Sequence, residues 1–153
     1  MNPSIKYRRA LPTDVPAMAS IRAKEWGTEE SWIHRISGYM QGRIHPGNAL
    51  PLRVIFAATE GDEVVGFIAG HITTRFNCDG ELEWINVLPN NRGKGIASGL
   101  LYLLAAWFVE NKALKICVDP DDDARKFYSA HGATNLNQHW MVWNDISVLL
   151  EKK

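Results

Sequence analysis

Two cysteines in 153 residues, Cys78 and Cys117, are too few for a disulfide framework and cannot by themselves make a zinc site. An excess of either charge is also missing. The 17 Lys and Arg balance 17 Asp and Glu, which argues against a broad nucleic-acid or anionic-membrane surface. No uninterrupted apolar run approaches the roughly 20 residues that span a bilayer. Residues 1–9 lack the apolar core of an export signal. The histidines at 34, 45, 71, 131 and 139 have no metal-ligand spacing, and no G-x-S-x-G elbow supports a serine hydrolase. There is no repeat, low-complexity tract or charge block, so residues 1–153 read as a single domain. The expectation from these absences is a reduced, cytoplasmic protein. What is present, 46% hydrophobic and 22% charged residues, suits a chain of this length that buries a core without staples.

Local patterns predict the elements in order. Ile5–Arg9 reads as a strand. Leu11-Pro12-Thr13-Asp14 starts a helix carrying Val15, Met18, Ala19 and Ile21. A second helix covers 29–40, with Trp32, Ile33, Ile36 and Tyr39 on one side, and 41–52 is a long loop. Strands at 53–59 and 64–74 flank the turn Glu60-Gly61-Asp62-Glu63, and a third follows at 81–88. Residues 96–111 form a helix that is apolar around most of its circumference, with Trp107 in the core. A buried strand at 114–118 carries Cys117, while Cys78 falls in a turn, where exposure is expected. Asp119-Pro120 ends that strand, three acids open a helix over 121–130, and His131 suits its end as a structural cation. The tail, 134–149, alternates Trp140, Val142 and Asn144 against Met141 and Trp143 as a closing hairpin. The order β-α-α-β-β-β-α-β-α-β-β is mixed α/β, with an antiparallel beginning and a later strand–helix–strand unit.

One stretch carries chemistry: Val87-Leu88-Pro89-Asn90-Asn91-Arg92-Gly93-Lys94-Gly95-Ile96-Ala97. A strand ends, proline prevents its continuation, and a glycine-rich turn opens into the longest helix. The first amides of that helix lack intrahelical partners, and its dipole adds positive character. Gly93 and Gly95 remove side chains where an anion would approach the backbone, and Arg92 and Lys94 add charge at the rim. The segment reads as a phosphate or pyrophosphate cradle. It is neither a G-x-x-x-x-G-K-[ST] loop nor a dinucleotide fingerprint, because Ser98 stands where a third glycine is required.

Arg92-x-x-Gly95-x-Ala97 resembles the [Q/R]-x-x-G-x-[G/A] motif of the GCN5-related N-acetyltransferases, the GNAT family. Asp121-x-x-Ala124-x-x-Phe127-Tyr128-x-x-x-Gly132-Ala133 resembles that family's N-x-x-A-x-x-[LF]-Y-x-x-x-G-F segment. Arg9-Ala10 with Thr13-Asp14, and Val65-Gly66-Phe67, resemble its opening and central hairpin, so the likeness covers nearly the whole chain. Two positions depart from the pattern: Asp121 replaces Asn and Ala133 replaces Phe. An aspartate caps a helix but donates no amide hydrogen bond.

The resemblance implies a mostly antiparallel twisted sheet of about seven strands, splayed at the cofactor site and flanked by four helices. It implies acetyl-CoA as cosubstrate and no metal. The pyrophosphate would lie on Arg92, Gly93, Lys94, Gly95, Ile96 and Ala97, and the pantetheine against Asn86, Val87 and Leu88. Asp121, Ala124 and Tyr128 would complete the cofactor site, with Tyr128 protonating the leaving thiolate. Transfer also needs an acceptor amine without its extra proton. Glu81 and Glu83, two apart on a strand and therefore on one face, are the candidates for that base, Glu83 first. Trp26, Trp32 and Tyr39 would shape the site of an acceptor that is a small-molecule or peptide amine. Neither nucleic acid nor membrane is implied, and homodimers are frequent among such proteins. A non-catalytic acyl-CoA-binding or sensor domain is the alternative.

Overall fold

A computed structural model describes residues 4–151. Its strands are β1 (Ile5–Arg9), β2 (Ala49–Glu60), β3 (Glu63–Thr73), β4 (Gly80–Val87), β5 (Ile116–Val118), β6 (Thr134–Asn135) and β7 (Met141–Trp143). They form one open sheet in the order β1-β2-β3-β4-β5-β7-β6. Every pairing is antiparallel except β4 with β5. Helices α1 (Val15–Ala23) and α2 (Glu29–Met40) cover one face, and α3 (Ile96–Glu110) and α4 (Asp122–Ala130) the other. The predicted order of elements and the mixed α/β class both hold. None of the described helices is long and apolar enough to cross a membrane.

The inner strand β3 is buried on both faces, which is why its sequence after Glu63, VVGFIAGHIT, runs almost without polar interruption. Val65 and Ile68 join the core under α3, and Phe67 and Ala69 join the one under α1 and α2. Helix starts follow side-chain chemistry. The Thr28 hydroxyl accepts from the Ser31 amide at 3.1 Å and the Asp121 carboxylate from the Ala124 amide at 2.7 Å. Asp14 accepts from the Leu11 amide and from both Arg8 terminal nitrogens, fixing β1 to α1.

Several boundaries differ from the reading of the sequence. β2 begins at Ala49, inside the expected loop, with an irregular register between Ala49 and Arg53. β5 is only three residues long, and the closing hairpin is shorter than expected, ending in a 3-10 turn at Ile146–Leu150. Cys78 is buried rather than exposed. The short helical turn Arg75–Asn77 folds it against Cys117 and Val142.

Gly80, at the start of β4, lies directly beneath α3. A Cβ there would collide with the Phe108 ring and come within 2.9 Å of Ile116. Gly80→Ala is expected to lower folding stability by about 1–3 kcal/mol through overpacking, read as a lower denaturant midpoint at unchanged slope.

Candidate functional site

The pairing of β4 with β5 covers only Gly80–Leu82 against Ile116–Val118. Beyond it, residues 84–87 of β4 are paired on the β3 side alone. The gap opens as a groove of about 260 Å³ with Ile85, Asn86 and Val87 on one wall and Asp121, Ala124 and Phe127 on the other. At its end a second cavity of about 220 Å³ is bounded by Gly93, Gly95, Ile96 and Ser98. Val87, Arg92, Ala97 and Phe127 line both cavities, so the two are continuous.

Gly93 and Gly95 both sit at φ +81°, a conformation that favours glycine, and Gly95 caps α3 without any side-chain bond. Among the described residues the amides of 93–98 have no backbone acceptor. The Arg92 amide differs from the expectation, since it donates to the Pro89 carbonyl at 3.3 Å. Its guanidinium is also engaged, with Nε donating to the Val87 carbonyl at 3.1 Å and a terminal nitrogen to Glu25 at 3.1 Å. Arg92 therefore ties the loop to the end of β4, and the amide cradle begins at Gly93. Lys94 lines a separate polar cleft together with Lys24, Glu60 and Leu88.

His131 joins this loop to α4. Its Nδ1 lies 2.8 Å from the Phe127 carbonyl, which can only accept, so Nδ1 carries a proton, and its Nε2 lies 2.9 Å from the Ser98 hydroxyl. Asp121 caps α4 and lines the groove. Tyr128 follows about two turns later, 3% exposed and packed edge-on against Trp143. Burial, and then the charge of Asp121, raise its phenol well above the ordinary value. The hydroxyl thus stays protonated at every working pH.

Across β4 lies a smaller cavity of about 200 Å³, lined by Arg35, Tyr39, Ile44, His45, Pro46, Glu83 and Trp84. A bulge makes this wall. Gly70 pairs with Leu82 and Ala69 with Trp84, leaving Glu83 as an extra residue. Leu82, Ile85 and Val87 pack toward α3, while Trp84 packs toward α1 and α2. The adjacent residues Glu83 and Trp84 consequently share a face. Glu81 lies on it too, but 4% exposed and held by Arg75 Nε at 3.0 Å. Burial, then the charge and hydrogen bond of Glu81, raise the Glu83 carboxyl to about 7 against the pull of Arg35 and Arg75.

Behind these carboxylates the fully buried His71 bonds through Nδ1 to the Tyr39 hydroxyl at 3.0 Å, and its Nε2 is 3.5 Å from Glu81. Ligating atoms of His71, Glu81 and Glu83 lie within 4.8 Å of one another, a spacing an ion could bridge. Arg75 already neutralises Glu81, however, and Tyr39 orients the imidazole. Of the three acceptor-site candidates, Tyr39 lines the cavity beside Glu83. Trp32 is 1% exposed and supports two guanidiniums, Arg22 and Arg35, each 4.4 Å from its ring. Trp26 is 61% exposed and stacks edge-on against Trp32.

Four arginines of this region, none of them in a sequence motif, hold functional positions. Arg22 donates to the Asn86 side chain at 2.6 Å, and its Nε is buried without a partner. Arg53 donates to the carbonyls of Tyr39, Ile44, Leu50 and Pro51 and to His45 Nδ1, and it stacks on the Tyr39 ring. Arg75 joins Glu81 to the Gly47 carbonyl. Arg35 lines the cavity itself. Only Arg22, placed among the apolar residues of an amphipathic helix, carried a local signal.

The family model described as Acetyltransferase (GNAT) family matches residues 15–133. No curated protein matches the chain. Among solved structures, a protein of Desulfovibrio desulfuricans named for the GNAT family is 15% identical, with 93% of this chain and 99% of that chain covered and a TM-score of 0.74. Ard1 from Thermoplasma volcanium is 18% identical, with 91% and 96% covered and a TM-score of 0.70. PaiA N-acetyltransferase from Thermoplasma acidophilum, solved in complex with coenzyme A, is 17% identical, with 92% and 98% covered and a TM-score of 0.67. At such identities the likeness is one of fold.

The raised Glu83 carboxyl has a consequence for stability. The native state holds that proton more tightly than the unfolded chain, so the contribution is full below the ordinary value of 4.5 and lost as pH rises through about 7. Glu83→Gln should therefore melt at a higher temperature than the parent protein at pH 8. The difference should vanish near pH 4, as followed by circular dichroism.

Proposed function

The chain belongs to the GNAT acetyltransferase family, and from that premise we propose that it moves an acetyl group from acetyl-CoA directly to a primary amine of a small molecule or peptide. The observation that carries the reading is the row of unpaired amides at 93–98, at the head of a groove bounded by the unpaired edge of β4. Those amides suit a diphosphate, since they supply several donors and the positive end of α3 without needing a cationic side chain. The backbone of Asn86 and Val87, which line the groove, suits the pantetheine amides in the manner of an added strand. Leu88, against expectation, is already engaged, its amide donating to the Val65 carbonyl and its carbonyl accepting from the Asn91 amide, and it lines the separate cleft with Lys94. Asp121 acts as the cap of α4, and Ala124 leaves the groove open beside it.

Glu83 is the base in this reading and Tyr128 the acid. A primary ammonium has no lone pair, and Glu83, poised near neutrality, takes one of its protons. The nitrogen then bonds to the thioester carbon and the carbon–sulfur bond breaks. The second displaced proton goes to sulfur, where Tyr128 donates to the developing thiolate. One proton remains on the nitrogen of the product amide. Because burial raises the phenol, Tyr128 serves chiefly by hydrogen bonding to that charge. Glu81, neutralised by Arg75, is the weaker candidate for the base.

Calorimetry with coenzyme A should register binding that is lost in Gly95→Val, because a β-branched residue strains the φ +81° turn and fills the cradle. Absence of heat with the well-folded parent protein would overturn the reading. Release of coenzyme A thiol with a panel of amines should separate catalysis from mere acyl-CoA binding. With a competent amine, Tyr128→Phe should lower turnover about 10- to 1000-fold with little change in cofactor affinity. Activity should rise with pH through about 7 as Glu83 ionises, and Glu83→Gln should abolish that limb of the profile.

A further inference from the structure

We propose that the acceptor is a small free amino acid, its amine facing Glu83 and its carboxylate held by Arg35. The inference rests on the acetyltransferase reading above and adds the chemical class of the substrate. Arg35 and Glu83 line the same cavity. Among the described residues Arg35 makes no ion pair, and its guanidinium is steadied by the Trp32 ring at 4.4 Å. A stacked guanidinium keeps its in-plane N–H edges free, the arrangement that receives a carboxylate in two parallel hydrogen bonds.

The charge inventory of the cavity selects against other amines. Among the described residues Glu83 is its sole carboxylate, because Glu81 is buried behind it and neutralised by Arg75. His45 is occupied as an acceptor by Arg53 at 2.7 Å. Arg22, its Nε unpartnered, stands against the other contact of Trp32 and adds positive potential to the same region. A diamine or polyamine would bring a second cation toward Arg35, and an amine without an acid group would forgo the charge-assisted pairing that this exposed guanidinium offers. The remaining walls, Ile44, Pro46 and Trp84, are apolar. The volume of about 200 Å³ lies below that of drug-sized ligand sites, so the side chain accommodated is modest and apolar.

The test measures thiol release from acetyl-CoA with leucine, leucinamide and a linear diamine, in the parent protein, Arg35→Gln and Arg35→Lys. The expected result is a kcat/KM for leucine at least about tenfold above that for leucinamide or the diamine. That ratio should fall toward unity in Arg35→Gln, chiefly through KM, and be partly kept in Arg35→Lys. Equal use of acid and amide by the parent protein, or an undiminished ratio in Arg35→Gln, would overturn the proposal while leaving the acetyltransferase reading intact. If no amine is turned over, that reading fails. Calorimetry of leucine with the coenzyme A-loaded protein then decides the inference by itself. Binding that disappears in Arg35→Gln supports it, and no binding to the parent protein overturns it.

Discussion

The structure turns on a strand pair that stops early. β4 and β5 share three register positions, after which β4 runs on through Val87 with nothing on that side. In the middle of a sheet this is a costly arrangement, because buried backbone donors and acceptors must be matched. The chain enforces it locally. Asp119 and Pro120 end β5, since proline offers no donor to a ladder, and Asp121 immediately caps a helix that leads away. The opposite wall is therefore a helix, and the backbone edge of β4 faces space that an extended ligand can fill. The cradle at the start of α3, the cap of α4 and the position of Tyr128 all take their meaning from that one divergence.

A second local irregularity places the chemistry on the other side of the same strand. Without the extra residue at Glu83, strict alternation would send Glu83 and Trp84 to opposite faces. The bulge lets a carboxylate and an aromatic wall stand side by side, and returns Ile85 and Val87 to the core beneath α3. Glu81, one alternation earlier, lands beside Glu83 but deeper, where Arg75 and His71 surround it. Two similar carboxylates thus acquire different environments, one paired with Arg75 and one held near neutrality by burial and its neighbour.

Much of this was legible in the sequence because its punctuation is local. Proline, paired glycines and acidic caps announce their turns within a few residues, and the order of elements followed from them. The nearness of Glu81 and Glu83 followed from a spacing of two. What escaped was everything that depends on a distant partner. The bulge is a property of β4 against β3, and the early start of β2 requires Thr73 opposite Ala49. The pairs Tyr39–His71 and Arg22–Asn86 join residues 32 and 64 positions apart. Trp26 and Trp32, equally plausible in sequence, have opposite fates, because a tryptophan packs according to the surface it meets. Arg92 resembled a free charge at a rim, and only the geometry of Val87 and Glu25 reveals it as a tether.

The segment between α2 and β2 is gripped largely through its main-chain oxygens: Arg53, rooted in the sheet and stacked on Tyr39, takes the Ile44 carbonyl, Arg75 takes that of Gly47, and Thr73 and Thr74 take that of Asn48. Substitution along that segment leaves those oxygens where they are, so its side chains can be exchanged while its path is kept. The molecule can in this way exchange the lining of one chamber without redesigning its scaffold, a division of labour between backbone and ornament through which new selectivities arise one residue at a time.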